Sequence, residues 1–211
     1  MKKTLFSIAT AVIAICLVAC NKEEWDIESS GSDLVTLNNG HSFVDLGLSV
    51  KWATCNIGAA DPWETGDFFA WGETKSKDTF TTDTYTHPDV DVLTLSNDAA
   101  YTNWGGTWRM PTADEIQDLI DKCTWKYAKY PGSDVYGYKV TSRVEGFTKK
   151  YIFLPVTGCK DGSILSSTDA GFYWSAVSNK AYPYFLCIKS RTDELKYTYP
   201  YYGYAVRAVC E

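Results

Sequence analysis

One amphipathic helix with a well-marked start lies in a chain whose other regular segments are typical of β-strands. Residues 112–115 (TADE) form a capping box, in which the Thr112 hydroxyl accepts a hydrogen bond from a free backbone amide and Glu115 reaches back to the cap residue. Apolar side chains then recur at helical spacing on one face, namely Ile116, Leu119, Ile120 and Cys123. The pattern predicts a single helix in the middle of the chain.

Strand candidates lie on both sides of this helix. Before it, residues 43–56 alternate partly between apolar and polar types with a break at Gly47, and residues 67–73 form a shorter candidate. After it come residues 136–143, 150–156, 172–177, 184–190, 195–199 and 205–210. One helix between groups of strands favours an α+β domain. Residues 75–103, which are rich in polar types, are predicted to form a long surface loop of the kind that often carries function.

The first residues predict export and lipid anchoring. A basic start, an apolar run over residues 5–18 and a small residue before Cys20 are the parts of an export signal. A membrane span is the alternative, but the run is shorter than the roughly 20 residues that a spanning helix needs. Residues 17–20 (LVAC) resemble a bacterial lipoprotein box, which implies that Cys20 is lipidated and becomes the first residue of the mature chain.

The residues after Cys20 predict where the protein is held. Residues 21–24 (NKEE) resemble the export tag of Bacteroidetes lipoproteins, which implies the outer membrane with the domain facing the cell exterior. The alternative interpretation is that residues 21–24 are only the charged residues of a solvated linker. The predicted organisation is a lipoprotein signal peptide at residues 1–19, a lipidated flexible tether at residues 20–40 and one domain at residues 41–211.

Charge and cysteine content exclude some functions. The chain has 20 basic and 26 acidic residues, and because Lys2 and Lys3 leave with the signal peptide, 18 basic residues remain for a net charge of −8. This acidic balance argues against nucleic-acid binding, which needs a basic face. Five cysteines remain after the signal peptide and Cys20 are set aside; without a CxxC pair, and with His41 far from His87, they predict neither a metal site nor a cofactor.

Three segments taken together are similar to a known family. They are residues 43–53 (FVDLGLSVKWA), residues 101–115 with their WGGTWRMPT core, and residues 171–175 paired with 205–207. They resemble the Fibrobacter succinogenes major paralogous domain family over residues 41–210. The resemblance implies a C-type-lectin-like fold related to the formylglycine-generating, sulfatase-modifying domain, with paired N- and C-terminal strands and long loops on a small twisted sheet. It implies no activity, because most members have none assigned.

Enzymatic and calcium-binding patterns are weak in this chain. The formylglycine-generating relatives use two late cysteines with copper and oxygen, but Cys187 and Cys210 do not match the sequence context of that site. There is no GxSxG, HExxH or phosphate-loop motif. The carboxylates of Asp61, Glu64, Asp89 and Asp91 are spaced without a calcium signature, so solvated loops explain them. Arg109 and Arg207 are predicted to be structural ion-pair or carbonyl-binding groups.

Tyrosines concentrate in the last part of the chain. Eight of the fifteen lie between Tyr173 and Tyr204, and tyrosine gives a large contact area with a polar tip. Alternate residues of a strand face inward, so the alternative is that these rings are partly core and partly solvated. The predicted ligand contacts are Tyr182, Tyr184, Arg191, Lys196, Tyr199, Tyr201 and Tyr202.

The function predicted from the sequence is a non-catalytic surface module that binds a glycan or a host or partner protein. Two alternatives stay open: an enzyme related to the formylglycine-generating group, and a structural subunit of the envelope or of fimbriae. A disulfide between Cys55 and Cys123 is also predicted, since both lie in family-like segments beside core features. A loop of that size would stabilise the fold by about 4 kcal/mol in the chain-entropy model.

Overall fold

β-strands make up most of the regular structure. In the computed structural model, which describes residues 37–86, 90–189 and 192–211, the described chain forms twelve strands and two α-helices. The strands are β1 (Leu37–Asn38), β2 (His41–Val44), β3 (Lys51–Asn56), β4 (Cys123–Lys129), β5 (Tyr136–Ser142), β6 (Tyr151–Pro155), β7 (Cys159–Asp161), β8 (Ile164–Ser166), β9 (Ala170–Asn179), β10 (Tyr182–Lys189), β11 (Thr192–Tyr197) and β12 (Arg207–Cys210). The helices are α1 (Ala99–Trp104) and α2 (Ala113–Lys122). The class is therefore α+β or mainly β.

The described strands form four antiparallel sheets. The first has the order β1-β2-β3-β12, so the last strand of the chain lies beside an early one. Arg207 lies opposite Asn56, and Val209 lies opposite Trp52. The predicted pairing of N- and C-terminal strands is thus confirmed. The other sheets have the orders β4-β5-β6, β11-β10-β9 and β7-β8.

Residues 203–210 pass through the centre of the domain and are buried along their whole length. Gly203 and Lys160 exchange two backbone hydrogen bonds of 2.9 and 2.8 Å, and Tyr204 and Phe69 exchange two of 3.1 and 2.9 Å. The segment then enters the first sheet as β12. Residues 203–210 contact several parts of the domain in succession. They therefore also fix the position of the residues that immediately precede them.

Helix α2 begins where the capping box predicted. The Thr112 hydroxyl accepts a 3.2 Å hydrogen bond from the Glu115 amide, and the Glu115 carboxylate accepts one of 2.8 Å from the Thr112 amide. Ile116 and Leu119 are buried, as the apolar stripe predicted. Cys123 is also buried but begins β4 instead of continuing the helix. Neither described helix is long and apolar enough to cross a membrane.

Helix α1 was not predicted, because a six-residue helix has no room for an apolar period. Asp98 caps it and accepts a 3.0 Å hydrogen bond from the Tyr101 amide. The other Asp98 oxygen accepts a 2.8 Å bond from the Met110 amide, and so the helix start is joined to the segment that leads into α2. Burial raises the pKa of Asp98, and these backbone hydrogen bonds oppose the rise.

The core consists of two clusters of buried side chains. One is built around Trp71, Trp108 and Trp174, and the other around Trp52 with the apolar face of α2 and the inner faces of β5, β6 and β10. The buried Trp174 indole donates a hydrogen bond to the Phe69 carbonyl at 2.7 Å. These four tryptophans are core residues, in keeping with the large apolar area that a tryptophan buries.

The WGGTW segment, residues 104–108, holds the β1–β2 hairpin against the core. Asn39 and Gly40 form the hairpin turn with φ of 47° and 85°, as an Asn-Gly pair favours. Trp108 donates from its indole to the Asn38 carbonyl at 2.7 Å, and Asn39 donates to the Trp104 carbonyl. The ordered chain therefore includes residues 37–40, which the sequence had placed in the tether.

The long polar loop, residues 75–103, is fixed to the domain at several points. Phe80 is fully buried and bridges to Gly162. Leu93 donates to the Ala176 carbonyl at 2.9 Å, so this part of the loop runs beside β9. The described parts of this loop, residues 75–86 and 90–103, therefore pack against the domain. Asp89 and His87 lie outside the described residues.

One strand prediction is wrong, and the strands β1, β4, β7 and β8 were not predicted. Residues 67–73 do not form a regular strand. Phe69 makes one isolated bridge to Tyr204, and the turn at residues 71–72 then directs the chain away from the Tyr204 segment. Strand β4 was missed, since its residues alternate without enough apolar types, yet it pairs with β5 over its whole length.

The predicted Cys55–Cys123 disulfide is not formed in this structure. All five described cysteines are free thiols. The half-buried Cys55 thiol lies 3.6 Å from the Ala60 carbonyl at the end of β3, whereas Cys123 is packed in the cluster under α2. The family-like segments that contain the two cysteines indicated that each lies near the core. They did not indicate whether the two cysteines lie near each other.

Candidate ligand-binding surface

Six tyrosine rings join into one continuous row, here called the tyrosine row. In order of contact, the row consists of Tyr184, Tyr197, Tyr182, Tyr199, Tyr201 and Tyr202. Successive ring centroids lie 6.2, 6.3, 5.4, 5.5 and 4.8 Å apart. Five of these six rings are predicted ligand contacts, so the structure brings the predicted tyrosines together.

The β10–β11 hairpin positions the first rings of the row. Tyr184 lies directly opposite Tyr197 in the antiparallel register, and their rings meet edge to face. Tyr182 precedes Tyr184 by two residues and reaches both Tyr197 and Tyr199. Cross-strand aromatic pairs of this kind stabilise a sheet and hold each other's rotamers.

Backbone contacts position the rings beyond β11. Thr198 donates to the Pro183 carbonyl at 3.1 Å, and the Pro200 carbonyl accepts a 2.8 Å hydrogen bond from the Trp71 amide. Two prolines in this region further restrict the backbone, since the ring of proline limits φ. The segment that carries Tyr199 and Tyr201 is therefore fixed at both sides.

The row ends in the core. Tyr202 stacks near Tyr204 with centroids 6.1 Å apart and planes 7° apart, and Tyr204 stacks on Trp174 at 4.3 Å. Tyr204 and Trp174 are buried. The alternative prediction, that part of the tyrosine set is core, is thus correct for Tyr173 and Tyr204.

Three consecutive rings within the row are exposed to solvent. Tyr182, Tyr197 and Tyr199 expose 41, 60 and 50% of their surface, while Tyr184, Tyr201 and Tyr202 are half-buried. A hydrogen bond with Tyr201, together with burial, raises the pKa of Tyr202 to about 12. The Tyr202 hydroxyl therefore stays protonated at neutral pH. The row presents flat apolar rings, each with a hydroxyl that both donates and accepts hydrogen bonds.

Lys196 does not belong to the tyrosine row. Successive residues of a strand point to opposite faces, so Lys196 faces away from Tyr197 and lies opposite Phe185. Its Nζ atom is 2.8 Å from a carboxylate oxygen of Glu194. Arg191, the other predicted cation, and Cys20 lie outside the described residues. Tyr197 was not among the predicted contacts, although it is the most exposed ring of the row.

A second exposed pair of tyrosines lies elsewhere. Tyr127 of β4 and Tyr136 of β5 stack with centroids 5.6 Å apart and planes 17° apart. Tyr127 exposes 54% of its surface, much as the outer rings of the row do. No ring of this pair contacts the tyrosine row within the described residues, and Tyr127 therefore provides a matched control for substitutions in the row.

Among the described acids considered for calcium, the Glu64 carboxylate has a structural role, whereas Asp91 contributes a backbone carbonyl. Glu64 accepts hydrogen bonds of 2.7 and 3.2 Å from the Ala60 and Asp61 amides, which closes a turn. The Asp91 carbonyl accepts from the Ser178 amide at 2.8 Å, beside β9. Over residues 37–86, 90–189 and 192–211 there is no group of three or more His, Cys, Asp or Glu side chains placed to hold a metal ion.

The two arginines have the structural roles predicted for them. Arg109 makes a bidentate ion pair with Glu115, with nitrogen–oxygen distances of 2.8 and 2.6 Å. Arg207 is fully buried and donates to the Ala53 and Thr54 carbonyls at 3.0 and 2.9 Å and to the Asn56 side chain at 2.8 Å. Burial lowers the pKa of Arg207.

The two late cysteines have different surroundings. The charges that act on the Cys187 thiol are those of Lys196, Glu194, Lys189 and Asp169, at the β10–β11 end of the molecule. The Cys210 thiol forms a hydrogen bond with the Asn38 side chain and lies near Lys51 and Arg109. Burial raises the pKa of both thiols.

The fold and this surface define a class: a β-rich domain of small antiparallel sheets, with a short C-terminal stretch that carries a row of partly exposed tyrosines. No protein-family model matches the chain, and neither the curated proteins nor the solved structures include a significant match.

Proposed function

We propose that this protein is a surface-anchored, non-catalytic binding module whose tyrosine row contacts a glycan. One observation carries the proposal: six tyrosines form a continuous row of ring contacts in which three consecutive rings are exposed and the last ring packs on the core. The proposal includes a C-type-lectin-like domain of the major paralogous type, which the pairing of β12 with β3 supports.

Preorganisation is the physical reason that the row suits binding. Ordering an exposed, rotamer-rich side chain on association costs about 0.5–1.5 kcal/mol. Each ring of the row already rests on its neighbours, and Thr198 and Pro200 hold the backbone beneath. Much of the ordering cost is therefore met when the protein folds, which leaves more of the contact energy for the ligand.

Glycans match the chemistry of this surface better than other ligands do. The C–H faces of sugar rings pack on aromatic rings, and sugar hydroxyls pair with phenol hydroxyls, which both donate and accept. The one described cation predicted for the site, Lys196, is paired with Glu194 and faces away. The phenol rings and hydroxyls of the row are themselves uncharged groups that can pack on a sugar ring and hydrogen-bond to its hydroxyls.

A glycan array probed with the detergent-solubilised full chain tests the proposal. Binding should be lost in Tyr199→Ala and kept in Tyr127→Ala, which removes a ring of similar exposure outside the row. A hot-spot ring contributes about 2 kcal/mol or more, or roughly thirtyfold in affinity. Equal binding by the two variants, or no glycan bound by the wild type, would contradict the proposal.

The same experiment separates the two alternatives. A structural envelope or fimbrial subunit would bind no glycan through the row. An oxidase related to the formylglycine-generating group would consume oxygen in a copper-dependent reaction, and Cys187→Ser and Cys210→Ser would abolish it.

Anchoring through Cys20 is part of the proposal and has its own test. Cys20→Ser removes the residue that would carry the acyl chains, and stable attachment to a membrane needs more than one such chain. The variant should therefore be released or stall in processing. Protease added to intact cells should remove the domain. Cleavage only after lysis would contradict the outward orientation without affecting the proposed binding surface.

A further inference from the structure

The β4-β5-β6 sheet has a second surface, on the side that faces away from the core. Tyr138, Val140 and Ile152 of this sheet belong to the buried cluster around Trp52. Successive residues of a strand point to opposite faces, so the other face carries Lys126, Ala128, Lys139, Thr141, Tyr151 and Phe153. This outer surface is here called the lysine face.

Two like charges meet on the lysine face. Lys126 of β4 lies directly opposite Lys139 of β5. Like charges in directly opposite positions of an antiparallel pair destabilise a sheet. As the structure describes them, β4, β5 and β6 contain no acidic residue, so these strands supply no carboxylate that could offset the pair. A negatively charged group from another part of the chain would therefore stabilise this face.

Aromatic rings lie beside the two lysines. The Lys139 ammonium is 4.2 Å from the centroid of the Tyr151 ring. Next to it, Phe153 meets Tyr130 edge to face at 4.9 Å, and Tyr130 also contacts Trp63. The lysine face therefore combines two ammonium groups with a strip of rings, and it fits a segment that carries both carboxylates and apolar side chains.

One segment of the chain itself has this composition. Residues 23–28 (EEWDIE) contain four carboxylates, and no other window of six residues in the sequence contains as many. Trp25 and Ile27 lie among these acids. The carboxylates complement the two ammonium groups of the lysine face, and the two apolar side chains complement its aromatic strip.

The length of the chain also fits. Residues 29–36 separate the acidic segment from β1, and eight residues span up to about 26–29 Å. Strand β1 lies two strands from β3, which is about 10 Å. Strand β3 contacts β6, and β6 pairs with β5, the strand that carries Lys139. The acidic segment can therefore reach the lysine face of its own molecule.

We propose that residues 23–28 bind to the lysine face of the same molecule, with carboxylates at Lys126 and Lys139 and with Trp25 and Ile27 on the neighbouring rings. The covalent link gives the segment an effective concentration in the millimolar range, so modest contacts suffice to hold it. The inference goes beyond the proposed glycan binding and does not depend on the tyrosine row.

This contact would set how the domain stands on the membrane. With residues 23–28 bound, only residues 20–22 separate the proposed lipid attachment at Cys20 from the domain. Three residues span about 10 Å, so the domain would stand close to the membrane with the lysine face turned towards it. A tether that stayed unbound over residues 20–36 would instead allow the domain to move several times further away.

Carbodiimide cross-linking of the detergent-solubilised full chain tests the contact directly, because this reagent joins a carboxylate to an amine only where the two touch. Mass spectrometry should find Lys126 or Lys139 joined to residues 23–28. The pair of Lys129 and Asp134, whose charged atoms are 2.5 Å apart, provides the positive control. Amide hydrogen exchange of residues 23–28 should be at least about tenfold slower than in the isolated peptide, as expected for a segment held by local contacts.

Substitutions on the lysine face test which groups hold the segment. Lys126→Gln combined with Lys139→Gln should abolish the cross-links and return the exchange of residues 23–28 to the rate of the free peptide. Lys129→Gln is the matched control, since Lys129 lies on the same strand but on the other face, and it should leave the exchange of residues 23–28 unchanged. Thermal melting identifies any variant that loses the fold.

Charge reversal in the segment provides a second test that leaves the folded domain unaltered. Asp26→Lys with Glu28→Lys should accelerate the exchange, and these positions lie outside the predicted export tag at residues 21–24. Adding Lys126→Glu and Lys139→Glu to that variant should restore slow exchange. Failure of the restored charges to slow the exchange would contradict a direct contact between the two sets of residues.

Other occupants of the lysine face give different results. Exchange of residues 23–28 at the free-peptide rate in the wild type overturns the inference. So does slow exchange that is lost on dilution, because the segment would then bind a second copy of the chain. If vesicles with one-fifth phosphatidylglycerol bind the wild type more tightly than the Lys126→Gln, Lys139→Gln variant, while residues 23–28 exchange freely, the face binds anionic lipid and the inference is wrong.

Discussion

Tyr204 stacks on Trp174 with ring centroids 4.3 Å apart and planes 27° apart, deep in the core. Through Tyr202, which lies 6.1 Å from Tyr204, this buried pair continues into the exposed tyrosines. The surface that we propose for binding is thus an extension of the aromatic core. Stability and binding should therefore depend on different members of one set of rings.

Tyr204→Ala should destabilise the domain by about 3–5 kcal/mol, because it removes a large buried ring and leaves a cavity beside Trp174. Tyr199→Ala should change the free energy of unfolding by no more than about 1 kcal/mol, since half of that ring is exposed. Denaturant unfolding of both variants measures the difference. Similar losses of stability would show that the two rings are not divided between core and surface.

Arg207→Lys should cost about 2–3 kcal/mol. The guanidinium donates to two carbonyls and to Asn56 in fixed directions, and a lysine ammonium cannot reach all three acceptors from the same position. Arg143→Lys is the matched control, because Arg143 is exposed, and its cost should stay within about 0.5 kcal/mol. Equal costs in denaturant unfolding would contradict a structural role for the buried arginine.

Glu115→Gln should lower stability at neutral pH by about 1–2 kcal/mol, and the loss should disappear in acid. Burial acts to raise the pKa of Glu115, but the hydrogen bonds from Arg109 and Thr112 outweigh it and hold the pKa below the ordinary value of 4.5. A depressed pKa in the folded state gives a contribution that is full above the unfolded pKa. That contribution is lost as pH falls through the lower folded value.

The measurement is denaturant unfolding of wild type and Glu115→Gln between pH 7 and pH 3. Asp118→Asn is the control, since Asp118 makes an exposed pair with Lys122 at 2.9 Å that contributes only a few tenths of a kcal/mol. A difference between wild type and Glu115→Gln that stayed constant with pH would mean that the carboxylate charge does not stabilise the fold.

Gly106→Ala should destabilise the domain by more than Gly146→Ala does. Both glycines have positive φ, 61° and 83°, so both substitutions carry a backbone penalty of about 1–2 kcal/mol. A Cβ at Gly106 would also lie 2.9 Å from Asn38 and Asn39 atoms, whereas one at Gly146 meets nothing within 4 Å. The difference in unfolding free energy measures how tightly the WGGTW segment holds the N-terminal hairpin.

Several features were predictable because they depend on neighbours in sequence. The capping box located the start of α2 at Thr112, and the spacing of Ile116 and Leu119 identified its buried face. The glycine-punctuated apolar segments located β5, β6, β9, β10 and β12 to within a few residues. The dense tyrosines between Tyr182 and Tyr202 marked the candidate site. Each of these signals follows from the geometry of one helix turn or one strand.

Other features depended on which segments of the chain contact each other in the folded domain. A strand pattern shows that alternate residues share a face, but the register of β10 against β11 decides that Tyr197 faces Tyr184 and that Lys196 faces away. The same holds for Cys55 and Cys123, which lie in neighbouring parts of the predicted core yet contact different groups. Helix α1 depends on a hydrogen bond between Asp98 and Met110, twelve residues apart.

Short-range patterns in the sequence therefore suffice for the local elements and for the segment that carries the tyrosines. That these tyrosines form one continuous row, which reaches Trp174 through Tyr204, depends on the tertiary structure. The physical reason is that periodicity and capping act over a few residues, while the row depends on contacts between strands, on the turns that set their register and on the burial of residues 203–210 at the centre of the domain.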